Sequence, residues 1–108
     1  MTPVSAQFKG LSAQVRVMTV AEVQKAGLGR YVVVTGNIVS HQRGDYFTSR
    51  DKTGEIRVES EPNVWQGREI VPETTVHLLA EVDQERRDRY LWVKSLDIVQ
   101  QRKPIVLR

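Results

Sequence analysis

A mainly β, five-stranded closed barrel is the fold that this sequence predicts. Three observations lead to it. Residues 31–60 alternate apolar and polar side chains through three consecutive segments, the period of strands with one buried and one wet face. Two more alternating segments follow at about 74–83 and 89–99, after a turn-like stretch. Gly36 interrupts the first segment, and a glycine inside a strand marks the bend or bulge by which a small barrel closes.

The elements can be justified in order. Residues 1–17 are polar and irregular, with Phe8, Leu11, Val15 and Val17 scattered through them, and read as an arm. Thr19-Val20-Ala21-Glu22 is a capping box, in which the threonine oxygen serves the amide three residues on and the glutamate reaches back. With Val20 and Val23 on one side and Gly27 as a left-handed stop, the pattern predicts one short helix over about 19–26. The first strand is expected over about 30–40, with Val32, Val34 and Ile38 inward. The second runs over about 45–51. The tight turn Asp51-Lys52-Thr53-Gly54 leads into the third, about 55–60, with Ile56 and Val58 on one face.

Pro62 then opens a single helical turn, Asn63-Val64-Trp65-Gln66-Gly67, ended by glycine. Trp65 is expected to plug one end of the barrel as core packing. The fourth strand turns Val76, Leu78, Ala80 and Val82 inward. The fifth turns in Leu91 and Val93, and after a break Leu96 and Ile98. Gln84-Glu85-Arg86-Arg87-Asp88 makes a charged loop between them. This order predicts a Greek-key OB-fold barrel, a fold that commonly binds along its second and third strands and adjoining loops. The chain divides into an arm (1–17), the OB-fold domain (18–100) and a basic tail (101–108) containing Arg102, Lys103 and Arg108.

Composition bounds the function. The 108 residues leave room for one domain, and no apolar run approaches the length of a membrane span. Sixteen basic residues against thirteen acidic ones give a net charge of +3, with part of the excess at the C-terminal end. The absence of cysteine excludes disulfides and thiolate metal ligands. The first ten residues, MTPVSAQFKG, lack a basic region followed by an apolar one, so no signal peptide is read in them.

Candidate sites are few. His41 and His77 are the only histidines, and no serine or threonine is set beside either by motif, so no nucleophile and base are indicated. Glu55, Glu59 and Glu61 could offer carboxylates to a metal, but alternate strand carboxylates read more simply as a solvated face. No cofactor, metal or catalytic residue is therefore expected. On the second and third strands Tyr46, Thr48, Arg50, Glu55, Arg57 and Glu59 should point outward, with Arg43 in the loop before them. Arg43, Tyr46, Arg50 and Arg57 are the groove candidates for a ligand. The interleaved Glu55 and Glu59 should pair with the arginines and repel phosphate. On the fourth and fifth strands, a register placing Leu79 near Trp92 and Glu81 near Tyr90 gives an outward apolar cluster of Val33, Leu79, Tyr90 and Trp92. Such a cluster marks a partner interface, self-association, or a surface covered by the arm through Phe8 and Leu11.

With the elements placed, TVAEVQ, YVVVTGNIV, DYFTSRDKTGEIRVE, VWQG, VPETTVHLLAEVD and LWVKSLDIV follow in an order and spacing that resemble the bacterial OB-fold (BOF) family. The resemblance covers about residues 8–99. Its most telling pieces are Gly36-Asn37-Ile38-Val39, Arg50-Asp51-x-x-Gly54, Trp65-x-Gly67, Val71-Pro72-x-x-Thr75-Val76 and Glu81-Val82-Asp83. The chain departs from the family pattern at Ser49, where an apolar or aromatic residue is usual, at Tyr90 and Trp92, where acidic residues are frequent, and at Leu11, where proline is common. The resemblance implies a non-enzymatic periplasmic protein linked to stress tolerance, binding a protein, small molecule or envelope component. The alternative is an OB-fold binder of single-stranded nucleic acid inside the cell, favoured by the basic charge with Tyr46, Arg50 and Arg57.

Overall fold

A computed structural model describes residues 15–99; the remainder of the predicted arm and the basic tail lie outside the described residues. The elements are β1 (Arg16–Val17), α1 (Val20–Val23), β2 (Tyr31–Arg43), β3 (Tyr46–Asp51), β4 (Gly54–Glu59), α2 (Pro62–Trp65), β5 (Thr75–Glu85) and β6 (Asp88–Ile98). The strands join in the order β1-β2-β3-β4-β6-β5, and a further β2–β5 pairing closes five of them into the predicted OB-fold barrel. The sixth, β1, lies parallel to β2, with Arg16 opposite Val32 and Val17 opposite Val33.

The barrel interior is the set that alternation selects. Val32, Val34, Ile38, Ile56, Val58, Val76, Leu78, Ala80, Val82, Leu91, Val93 and Leu96 form one buried core with Val20, Val23, Ala26 and Val64. Ile98 departs from the expectation, because it lies at the end of β6 and is 39% exposed. The break between Val93 and Leu96 is a β-bulge. Ala80 stands opposite Val93 and Leu79 opposite Ser95, so Lys94 is the extra residue that resets the inward phase.

The helix is shorter than expected. The Thr19 amide donates to Glu22 Oε1 (2.8 Å) and the Glu22 amide to Thr19 Oγ1 (3.2 Å), completing the capping box. The helix then ends after Val23, and the left-handed residue is Gly29 (φ 83°) rather than Gly27. The β3–β4 turn reaches across to cap this helix as well. The Val20 amide donates to Asp51 Oδ2 (2.8 Å) and the Ala21 amide to Thr53 Oγ1 (2.9 Å).

The plug of the open end also differs in detail. Val64 is the deeply buried residue of α2, while Trp65 is half-buried and meets Phe47 edge-on at 4.9 Å between ring centres. Arg68 holds α2 in place by donating to Trp65 O (2.9 Å), Val64 O (3.1 Å) and Leu96 O (2.6 Å).

Ser49 is fully buried on β3, and its Oγ has no hydrogen-bond partner. An unpaired buried hydroxyl costs free energy that an apolar residue does not. Ser49→Ala is expected to raise stability by about 1 kcal/mol. A urea midpoint unchanged or lowered by this substitution would contradict the assignment.

Candidate functional site

The site is built on the outer face of β3, β4 and β6, between the β2–β3 and β5–β6 hairpins. The β2–β3 hairpin turns through Gly44 (φ 53°), with Arg43 opposite Tyr46. The β5–β6 hairpin turns through Arg86 and Arg87, with Glu85 opposite Asp88 and Arg86 at φ 60°. The segment 84–88 is therefore a two-residue turn flanked by paired strand ends, not the longer loop that the sequence predicts.

That turn sets the register, and the register overturns the predicted apolar cluster. Trp92 stands opposite Glu81 rather than Leu79, and Tyr90 opposite Asp83 rather than Glu81. Val33 and Leu79 do face one another on β2 and β5, and Val17, 78% exposed, continues their row. Tyr90 and Trp92 lie further round the barrel, on the β4 side of β6, where Tyr90 is opposite Arg57 and Trp92 opposite Glu59. Two candidate groups that look separate in the sequence are thus partly merged.

Arg57 is the centre of the merged face. Its guanidinium carbon lies 5.0 Å from the ring centre of Tyr46 and 4.7 Å from that of Tyr90. Such contacts hold a cation over two negative ring faces. Its Nη2 pairs with Glu85 Oε1 at 2.8 Å, tying β4 to the end of β5. The expected pairing of Arg57 with Glu59 does not form; Arg50 does pair with Glu55, at 2.7 Å. Of the four groove candidates, Tyr46 and Arg57 stack, Arg43 stands opposite Tyr46 at the β2–β3 turn, and Arg50 is paired with Glu55. Burial pushes the Tyr90 hydroxyl pKa above its usual value of 10.0, and the Asp83 and Glu59 carboxylates add to that rise. The Tyr90 hydroxyl donates to Asp83 Oδ2 at 3.4 Å.

A transverse row of side chains crosses the same face. Following the strand pairings, Tyr46 is opposite Glu59, Glu59 opposite Trp92, Trp92 opposite Glu81, and Glu81 opposite Tyr31. Aromatic rings and carboxylates therefore alternate around the barrel. Lys94 leans over this row, with Nζ 3.3 Å from the ring centre of Trp92 and 3.7 Å from Glu81 Oε1.

Two further places are chemically notable. Thr35 Oγ1 and His77 Nδ1 are 2.7 Å apart, with Asp97 opposite His77 on β6. Sequence spacing places no hydroxyl beside this histidine; the strand pairing of β2 with β5 does. Thr35 and His77 are both on the outward face of the sheet, and His77 is exposed. The contact uses Nδ1 and ties β2 to β5. A groove of about 530 Å³ lies alongside, lined by Thr35, Asn37, Arg50, Asp51, Lys52 and Thr75 among others. Among the described residues, no group of three or more His, Cys, Asp or Glu side chains is placed to hold a metal ion. No helix among them is long and apolar enough to cross a membrane.

Residues 2–98 match the family described as Bacterial OB fold (BOF) protein. The chain is 30% identical over 95 residues to the calcium-regulated OB-fold protein CarO of Pseudomonas aeruginosa, covering 88% of this chain and 82% of that protein. It is 29% identical over 80 residues to protein YgiW of Escherichia coli K12, covering 74% of this chain but only 62% of YgiW. A solved structure of YgiW from E. coli superposes with a TM-score of 0.74 at 29% identity, over 77% of this chain and 89% of that one. The telomere capping protein Ten1 of Saccharomyces pombe, at 8% identity and a TM-score of 0.62, shares the fold alone; that match covers 76% of this chain and 78% of that one. None of these relatives is described as an enzyme. This chain belongs to the bacterial OB fold (BOF) protein family.

Proposed function

We propose that this protein is a non-enzymatic binding module of the bacterial envelope. It holds a protein, small molecule or envelope component on the outer face of β3, β4 and β6, and it contributes to stress tolerance through that binding. The observation that carries this reading is the grouping of Tyr46, Arg57, Tyr90 and Trp92 between the two hairpins. Tyrosine, tryptophan and arginine are the residues that dominate binding energy at interfaces. OB folds commonly use this face and its bordering loops. The barrel beneath is closed and fully packed, so the face is a rigid platform that loses little entropy on binding.

Retention from an envelope extract tests the reading. The Tyr90→Ala, Trp92→Ala double variant is expected to recover at least tenfold less of whatever the parent protein retains, while His77→Ala on the distant β5 surface recovers the same amount. Equal recovery by the double variant and the parent would remove this face from the function.

A second reading, binding of single-stranded nucleic acid, has one observation in its favour. A cation flanked by two tyrosines also resembles a base-stacking platform. Glu59, Asp83 and Glu85 on the same surface oppose a phosphate backbone. Binding of a single-stranded oligonucleotide that falls steeply with salt would favour this reading over the first.

A further inference from the structure

We infer that the Tyr46–Glu59–Trp92 step of the transverse row receives a lysine or arginine side chain from a basic, extended segment of a partner protein. This rests on the binding face proposed above and names the chemistry that the face selects.

The protein's own cations show what the row accepts. Lys94 rests on Trp92 with Glu81 beside it, and Arg57 rests between Tyr46 and Tyr90 with Glu85 beside it. Each unit is a cation on an aromatic ring with one carboxylate as counter-charge. Glu59 repeats the same surroundings, with Tyr46 on one side and Trp92 on the other. Among the described residues its carboxylate has neither an ion pair nor a hydrogen bond. Its carboxyl pKa is raised above the usual 4.5, first by burial and then by the Asp45 and Glu61 carboxylates, with Arg57 opposing and Asp83 adding to the rise. A carboxylate held half-buried among like charges gains from a cation supplied from outside.

Charge complementarity favours a basic partner over an acidic one. Arg57, Lys94 and Arg50 are each paired with Glu85, Glu81 and Glu55. Asp45, Glu59, Glu61 and Asp83 form no ion pair among the described residues; Arg43, opposite Tyr46, is also unpaired, but the carboxylates outnumber it. The whole chain carries +3, so a polycation is repelled by the net charge and is held only through a local feature. Successive rows on a sheet also present their outward positions about 7 Å apart along each strand, the spacing of alternate side chains in an extended peptide.

Titration with decalysine at low salt, followed by the fluorescence of Trp92 in the full chain carrying Trp65→Phe, tests this inference. The parent protein is expected to bind, and Glu59→Gln to bind at least tenfold more weakly. Glu55→Gln, which removes a carboxylate already paired with Arg50, should bind as the parent does. Deca-glutamate and a single-stranded oligonucleotide, each titrated alone, should not bind. Glu59→Gln is expected to fold as the parent does. A raised carboxyl pKa contributes stability below the unfolded value that is lost as pH rises, so replacing the carboxylate raises the urea midpoint at pH 7 and changes it little at pH 3.

Equal affinity of Glu59→Gln and the parent for decalysine, no binding at low salt, or binding of the oligonucleotide alone would each overturn the inference. If decalysine fails while the Tyr90→Ala, Trp92→Ala variant still loses retention from extract, the face remains a binding site and only its selectivity for cations is wrong.

Discussion

Gly36→Ala is expected to destabilise the barrel by about 2 kcal/mol, although alanine suits a strand better than glycine does. The reason is a close approach of two backbones. A Cβ on Gly36 would press into the carbonyl oxygen of Arg50 on β3, with the Arg50 carbonyl carbon 3.2 Å away and Ser49 Oγ at 3.4 Å. Backbone atoms cannot swing aside as a side-chain tip can. The strands must separate, in the region where β2 passes from its pairing with β5 to its pairing with β3. The irregularity between Ile38 and Ser40 lies just beyond, so this is the corner on which closure depends. Urea unfolding should show a lower midpoint with an unchanged slope, since the surface exposed on unfolding stays the same. A neutral or stabilising Gly36→Ala would show that β2 and β3 can part freely here.

Asp51→Ala should cost about 3 kcal/mol at neutral pH, since one carboxylate is lost to several donors at once. Oδ2 accepts from the Val20 amide (2.8 Å), while Oδ1 accepts from the Thr53 amide (2.7 Å) and hydroxyl (2.6 Å). The side chain thus holds the β3–β4 turn in shape and caps α1, two elements 31 residues apart in sequence. Burial pushes the Asp51 carboxyl pKa up. The bonds from the Thr53 side chain and the Val20, Thr53 and Gly54 amides outweigh it, and the pKa falls below the usual 3.8. A group whose pKa is depressed in the folded state contributes stability that is present above the unfolded pKa and lost as pH falls through the folded one. The gap between parent and Asp51→Ala is therefore expected to be constant from about pH 7 to 5 and to shrink below about pH 4. A gap independent of pH down to about pH 2 would mean that the carboxylate charge contributes nothing to the turn.

Glu59 and Asp51 titrate in opposite senses for reasons that their neighbours supply. Asp51 faces amides and a hydroxyl that donate to the ionised form. Glu59 faces Asp45, Glu61 and Asp83 carboxylates that oppose it.

Several features of the fold were legible residue by residue. The capping box at Thr19 and Glu22 and the inward sets of β2, β4 and β5 follow from local chemistry or strict alternation, while Ser49 stood out only against the family pattern. The break at Lys94 was visible as a phase change between Val93 and Leu96, though its meaning as a bulge needs the partner strand. The candidate site was legible only in its ingredients. Tyr46, Arg57, Tyr90 and Trp92 could each be placed outward, but assigning them to two separate groups depended on a register guessed for β5 and β6. A two-residue turn at Arg86-Arg87 changed that register by two positions and moved the aromatic residues toward β4. The Thr35–His77 contact escaped for the same reason, since residues 42 apart in sequence meet only through strand pairing.

The sequence by itself determined a five-stranded barrel, because side-chain period two records which half of each strand avoids water, and that record is local. Only the tertiary structure decided which outward residues are neighbours. Strand pairing is set by turns, bulges and closure acting over the whole molecule, and a slip of two residues preserves every inward position while exchanging every outward contact.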